Sequence, residues 1–456
     1  NVLTAVDMST FEGKWNPIGT EEHPFNLKFN GNERSISKFS ASAPLFGVCK
    51  GAEIYNVILD ETCSVNMTSD INAHLYLAAI AGQLNESKMR DCSSAASVKL
   101  DARSVLASAA VYAGGLVGHV GANSTISGCT HGGKLDVAVT RTSSNGYAYV
   151  GGIAGYVAGA IETSVNTGSV SDNTASKYHY VGGITGFVYE GDAALKTCEN
   201  SGEVKHTSTR TVDSISEMNR DVYVGGVTGG SRGVLTDLKN SGSVEIWTNA
   251  KSIYLGGVVG CVLAGSAEKC VADHGVVSYN RPLDLEDIPA NLGKYVYMGG
   301  VFGSLNIPME LDYAQLPVTC DVKATSVEPN SAQLLVGGII GYAQKALTIK
   351  SPQWNGSIDF TMSKGNNVTG LIGFGGILGS SLDPATVVTG AQTSGKIIIN
   401  AASSSIWVVP TSAGGIVGCA RGGVNISESI NNAVLDWTGG CAKSNDRGVV
   451  SMGGIV

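Results

Sequence analysis

The chain has 456 residues, a net charge of −8, only 15% charged residues, and 61 glycines against 11 prolines. This acidic balance leaves no basic stripe for phosphate backbones, so nucleic acid is not an expected partner. No apolar run reaches the roughly 18 residues of a membrane helix, because Gly, Ser and Asn interrupt each one, so no membrane-spanning segment is expected.

Residues 1–40 are rich in aromatic and turn residues: Trp15-Asn16-Pro17-Ile18-Gly19, Pro24-Phe25, Phe29-Asn30-Gly31-Asn32 and Ile36-Ser37. A solenoid needs a terminal unit over its first coil, so this segment is expected to be an N-terminal cap. Residues 41–456 then repeat one motif. A Gly-Gly-(Ile/Val/Leu)-x-Gly core returns with its first glycine at Gly114, Gly151, Gly182, Gly225, Gly256, Gly299, Gly337, Gly375, Gly414 and Gly453. Two eroded copies precede them, at Ala43 to Gly47 and Ala78 to Gly82. The mean spacing of about 38 residues belongs to solenoids, propellers or arrays.

Each unit carries three short clauses. In one unit they are Tyr149 to Val157, Ile161 to Asn166 and Gly168 to Ser171. These runs are rich in Val, Ile, Thr and Tyr and are bounded by Gly, Asn or Ser, which is the strand signature; no helical period extends over 11 residues. A propeller blade needs four strands, and propellers close at about 4 to 8 blades. The expected fold is therefore all-β: a right-handed parallel β-helix of about twelve coils with three strands per coil, the hand following the rule for parallel crossovers. The last core stops at Ile455-Val456 without its closing glycine, and the repeats are expected to continue beyond 456.

Equal offsets become columns in such a fold. Cys92, Cys129, Cys198 and Cys270 share a slot with Ser164 and Leu238, which argues for buried thiols. A disulfide between adjacent coils, Cys92 with Cys129, stays open. No Cys-x-x-Cys pair occurs, so no metal site is expected. Asn166, Asn200 and Asn240 should form an amide ladder. Tyr112, Tyr149, Tyr180, Tyr223, Tyr254 and Tyr297 stand two residues before the first glycine, and strand alternation places them outward. Such an aromatic strip suits stacking on sugar rings or a partner's surface, or it only stiffens the sheet.

Two units are lengthened before the tyrosine strand, by Asp213 to Asp221 and by Asn280 to Lys294, and insertions of this kind commonly form a solenoid's binding face. The second holds Arg281, Asp284, Glu286 and Asp287, the best cluster for a polysaccharide lyase or hydrolase, although charges crowded in one loop usually form a solvated surface. No Ser, His and Asp arrangement stands out, and no catalytic residue is assigned. The glycine cores lack the helix and acidic residue of a dinucleotide site and the repeated aspartate of calcium nonapeptides, so no cofactor is expected.

Gly115-Leu116-Val117-Gly118, Leu45-Phe46-Gly47 and Gly152-Ile153-Ala154-Gly155 resemble GLUG-motif repeats of large bacterial surface proteins. The segment Trp15-x-Pro17-Ile18-Gly19, with Phe29-x-Gly31-Asn32 and Ile36-Ser37, resembles the lead-in that precedes them. The resemblance implies an exported, extracellular protein on the cell envelope, commonly of gut or oral Bacteroidota, that serves adhesion or surface binding. It brings no catalytic residues. The expected function is thus a non-enzymatic cell-surface binding or adhesion protein, with a protein or glycan partner on the cell surface or host. It could also be a surface lipoprotein component of an envelope complex. The alternatives are a glycan-processing β-helix enzyme and a structural spacer or surface-array subunit.

Overall fold

A computed structural model describes residues 2–9, 14–71, 73–104, 109–141, 146–208, 220–248, 250–280, 294–325, 332–361, 371–401, 411–439 and 450–454. Among these there is no helix. The chain divides into two compact units, Asn1–Thr207 with Gly226–Lys239, and Ser208–Gly225 with Asn240–Val456. Each is a parallel β-solenoid.

In the first unit one sheet is built from Leu75–Leu77, Val111–Gly114, Tyr147–Gly151 and Tyr178–Gly182. A second contains Ala81–Asn85, Val117–Val120, Ala154–Val157 and Thr185–Val188. The single clause expected from Tyr149 to Val157 is therefore two strands bent at Gly152-Ile153, and a coil has four sides instead of three. The third side kinks where the backbone turns left-handed, at Asn56, Asp91, Gly128, Thr163 and Thr197, with φ between 48 and 62°. That turn points the following side chain inward, which buries Cys92, Cys129, Ser164 and Cys198. The fourth side comprises Ser64–Ile71, Ser97–Ser104, Leu135–Arg141, Val170–Thr174 and Val204–Ser208, each parallel to its neighbour.

Alternation along these strands fills a continuous core. Val150, Ile153, Ala154, Val157, Ile161 and Val170 are all buried within one coil. Each large aliphatic side chain contributes roughly 1.5–3 kcal/mol by leaving water. None of the core glycines carries a positive φ; their role is close approach. A Cβ on Gly152 would stand 2.2 Å from the Gly183 carbonyl oxygen and 2.4 Å from Asn166 Cγ. One on Gly155 would stand 2.6 Å from the Ala113 nitrogen. In three successive coils the second glycine of the core thus makes room for a column residue of the third side: Gly115 for His131, Gly152 for Asn166, Gly183 for Asn200. Asn166 Nδ2 donates to Asn200 Oδ1 and to the Gly168 carbonyl, each at 2.8 Å, so the expected ladder is present between these two residues.

Residues 15–40 continue the same winding. Lys28–Asn30 pairs with Glu53–Tyr55, and Ser35–Ser37 lies between Val6–Asp7 and Ile58–Leu59. Phe25 and Phe29 pack on Phe46 with ring centroids 5.1 and 5.2 Å away, and Trp15 Nε1 donates to the Pro44 carbonyl at 3.0 Å.

The second unit repeats the scheme. Its tyrosine sheet runs through Asp221–Gly225, Ser252–Gly256, Lys294–Gly299, Ala332–Gly337, Ile372–Gly375, Thr411–Gly414 and Val450–Gly453. Here the ladder column holds Trp354, buried to 1% exposure and lodged against Gly338, Gly376 and Gly395, none of which could carry a Cβ in that space.

Candidate functional site

The bend at each glycine core folds the outward faces of two adjacent strands onto each other. Along Tyr147–Gly151, Ala148 and Val150 enter the core and Tyr149 leaves it; along Ala154–Val157, Tyr156 leaves it. Tyr149 and Tyr156 therefore meet edge to face at 5.1 Å and 74°. Parallel register then stacks each ring on the next coil. One file runs Tyr76, Tyr112, Tyr149, Tyr180 with centroids 5.0, 5.3 and 5.4 Å apart and planes within 14°. A second file, His119, Tyr156 and Phe187, stands at 5.1 and 5.9 Å spacing, crossing the first in T-shaped pairs. Such edge-to-face and offset contacts add about 0.5–1.5 kcal/mol per pair beyond burial.

Tyr112, Tyr149 and Tyr180 are thus brought together in the first unit. In the second, Tyr223 and Tyr254 stack at 4.5 Å, Tyr254 lies 5.4 Å from Tyr297, and Tyr297 stacks on Tyr342 at 4.7 Å. Alternation does carry the tyrosines away from the main core, but they form no flat exposed strip. Tyr180, Tyr223 and Tyr297 are only 8, 8 and 5% exposed. The second file covers the first, and its signal is the residue after each third glycine, an aromatic or histidine at His119, Tyr156 and Phe187. Arg281, Asp284, Glu286 and Asp287 lie outside the described residues, as does most of the Asp213 to Asp221 insertion.

The seam is electrically neutral. Burial, with Tyr112 and Glu21 nearby, pushes the Tyr76 phenol up to about 12, and burial pushes His119 down to about 4. At the Tyr76 end the seam opens into a cavity of about 740 Å³ lined by Pro17, Val48, Tyr76, His74, Glu21 and Gln83 among others. Its walls are mostly apolar, and Gln83 Nε2 donates to Glu21 Oε1 at 2.6 Å. Tyr147, Tyr189 and Tyr295 leave their rings partly in solvent at the margins.

The cysteine column is interior and its thiols are unlinked. The Cys92 amide donates to Cys129 Sγ at 3.4 Å, and the Cys129 amide to Ser164 Oγ at 3.3 Å. The metal expectation rested on cysteine spacing alone and overlooked another donor set. Asp172, His179 and His206 converge in the first unit with ligand atoms all within 4.8 Å of one another. Asp172 Oδ2 lies 3.2 Å from His179 Nδ1 and 2.8 Å from His206 Nδ1, and all three side chains are fully buried. Burial by itself raises the carboxyl, but the two imidazoles beside it outweigh that and hold it well below the usual carboxylate range. Strand alternation across Val170–Thr174 would have placed Asp172 inward. The histidines sit at unrelated distances from the glycine cores, so no repeat alignment brings them together.

The chain matches no family model, and no curated protein and no solved structure is significantly similar to it.

Proposed function

We propose that this chain is a non-enzymatic binding protein of the bacterial cell surface, a right-handed solenoid of about twelve coils that takes a glycan in the cavity where its aromatic seam opens. The observation that supports this reading is the neutral two-file aromatic seam opening into an apolar-walled cavity. Aromatic faces with phenolic edges offer sugar C–H faces a stacking surface and their hydroxyls a hydrogen-bond partner. A wall whose lining holds the Glu21 carboxylate and no Lys or Arg favours neutral sugars over polyanions. The GLUG-like cores support the placement on an envelope, as an adhesin or as a lipoprotein component of a larger complex.

A glycan and host-matrix array on residues 1–456 tests this, with bound polysaccharide checked for new chain ends. His74→Ala and Glu21→Ala alter the cavity wall at exposed positions, and Tyr147→Ala trims the seam's margin. Binding that falls at least tenfold in the cavity variants supports the reading. Binding equal in all variants removes the seam from the function, and cleavage of the bound chain replaces the binding protein by an enzyme.

A further inference from the structure

Two inward columns of the first unit are apolar until they reach three neighbouring positions. Asp172 stacks in register on Val137, which stacks on Leu100; His206 continues that column. His179 stacks on Ala148, which stacks on Val111. Putting a carboxylate and two imidazoles into a packed core is strongly unfavourable unless their charges and lone pairs are matched.

The hydrogen-bond geometry shows what is to be matched. His179 Nε2 stands 2.8 Å from the Ser176 carbonyl oxygen, which only accepts, so Nε2 carries the proton. Neutral His179 then turns its Nδ1 lone pair toward Asp172 Oδ2 at 3.2 Å, where one acceptor faces another, with the Thr174 hydroxyl 3.3 Å from the same nitrogen as a donor to it. A positive centre between them resolves this, either a second proton or a cation. A ring nitrogen that faces a ligand site while its partner N–H is anchored on a backbone carbonyl is the usual outer-shell arrangement of a metal-binding histidine. Tetrahedral Zn²⁺ with bonds near 2.0–2.1 Å holds its ligand atoms about 3.4 Å apart, against 3.2 and 2.8 Å from Asp172 Oδ2 to the two imidazoles here, with all three ligand atoms within 4.8 Å of one another. Asp172 Oδ1 is meanwhile fixed by the Thr174 amide at 3.2 Å. His206 presents Nδ1 to the same point, 2.8 Å from Asp172 Oδ2, while its buried Nε2 has no hydrogen-bond partner in the protein.

We propose that Asp172 Oδ2, His179 Nδ1 and His206 Nδ1 form a buried structural site for a divalent d-block cation of the Zn²⁺ class. The mixed imidazole and carboxylate donors fit Zn²⁺ better than Ca²⁺ or Mg²⁺, which take oxygen. Full burial gives the cation a role in holding three strands, Val170–Thr174, Tyr178–Gly182 and Val204–Ser208, together, not in turnover.

The test refolds the whole chain with Zn²⁺ or Co²⁺, removes loose ions on a chelating column, and counts metal by mass spectrometry. The wild type should keep one equivalent of Zn²⁺, and its Co²⁺ form should show the visible d–d bands of a tetrahedral site. At a thousandfold excess over the dissociation constant, the melting temperature of the first unit should rise by roughly 10 °C over the metal-free protein. The triple variant Asp172→Val, His179→Ala, His206→Val restores the apolar type of the adjoining coils. It should fold, keep no metal and melt alike with and without Zn²⁺. Equal uptake by this variant, or a wild type that binds nothing and melts unchanged, overturns the proposal. In the latter case ¹⁵N spectra showing both His179 ring nitrogens protonated at neutral pH would identify a buried ion pair instead.

Discussion

Acidification should weaken the first unit through one residue that binds nothing. His131 is fully buried beneath Gly115, with Nδ1 3.2 Å from Asn166 Oδ1. Donation from Nδ1–H to that amide leaves Nε2 as the only seat for a second proton, and Nε2 has no partner. Burial therefore pushes His131 down to about 4, although its contacts with Asn166 and the Ala96 backbone work the other way. In the unfolded chain the same imidazole takes its proton near 6.5. Between these values the unfolded state binds more protons, so stability is complete above about pH 6.5 and falls as the pH drops toward 4. From pH 7 to pH 5 the loss from this residue alone is about 2 kcal/mol, which lowers the melting temperature of a unit this size by roughly 4–8 °C.

His131→Asn isolates the effect. It puts into the column the residue that the next two coils carry at Asn166 and Asn200, and its amide can extend the same ladder. Calorimetry of both proteins at pH 7 and pH 5 gives two acid-induced drops, and His119 and every other titrating group contribute equally to each. The wild-type drop should exceed the variant's by about 2 kcal/mol. Equal drops would mean that His131 is protonated in the folded state or reaches solvent, and the burial argument would be wrong.

Three further substitutions test the packing scheme. Gly152→Ala forces a Cβ into the Gly183 carbonyl oxygen and into Asn166, which its ladder hydrogen bonds hold in place, and should cost about 3 kcal/mol or more in denaturant titration. Asn166→Ala leaves the Asn200 amide oxygen and the Gly168 carbonyl without their donor, for a loss of about 2–4 kcal/mol. Tyr149→Ala opens both aromatic files at once and should lower stability by about 3 kcal/mol, with a near-ultraviolet circular dichroism signal that drops by more than one ring's share as Tyr112, Tyr156 and Tyr180 lose their fixed stacking.

The repeat, the parallel strands, the inward cysteines and the Asn166 to Asn200 ladder were all legible in the sequence, because a period fixes which residues share a column and alternation fixes which way they point. What resisted was anything set by the angle between strands. A run such as Tyr149 to Val157 is apolar enough to be one strand, and nothing in its composition marks the bend at Gly152-Ile153. Without that bend Tyr149 looks exposed and Tyr156 looks unrelated to it. The Asp172, His179 and His206 cluster stayed hidden for a different reason. It joins two consecutive coils at a corner whose length changes from unit to unit, so its members share no offset.

The glycine cores and the polar column looked like separate signatures, but the structure makes them one contact. The second glycine of a core is needed because a large or hydrogen-bonded side chain stands against it: His131 under Gly115, Asn166 under Gly152, Asn200 under Gly183, Trp354 under Gly338 and Asn431 under Gly415. In these coils steric need links two positions about 15 residues apart within a period of about 38, whereas Gly257 and Gly300 face only Ala272 and Cys320 and meet the carbonyl oxygen of the next coil's glycine instead. A small residue in the ladder column removes one of the two contacts that exclude a Cβ, while the carbonyl contact stays, as at Gly257 over Ala272. The pair should then vary together. Replacing Asn166 by Gly should recover part of the stability that Gly152→Ala loses, because the Cγ that the new methyl meets is gone, while the clash with the Gly183 carbonyl oxygen remains. A double-mutant cycle that shows no coupling between these two positions would separate the signatures again and leave the carbonyl contact as the sole reason for the glycine.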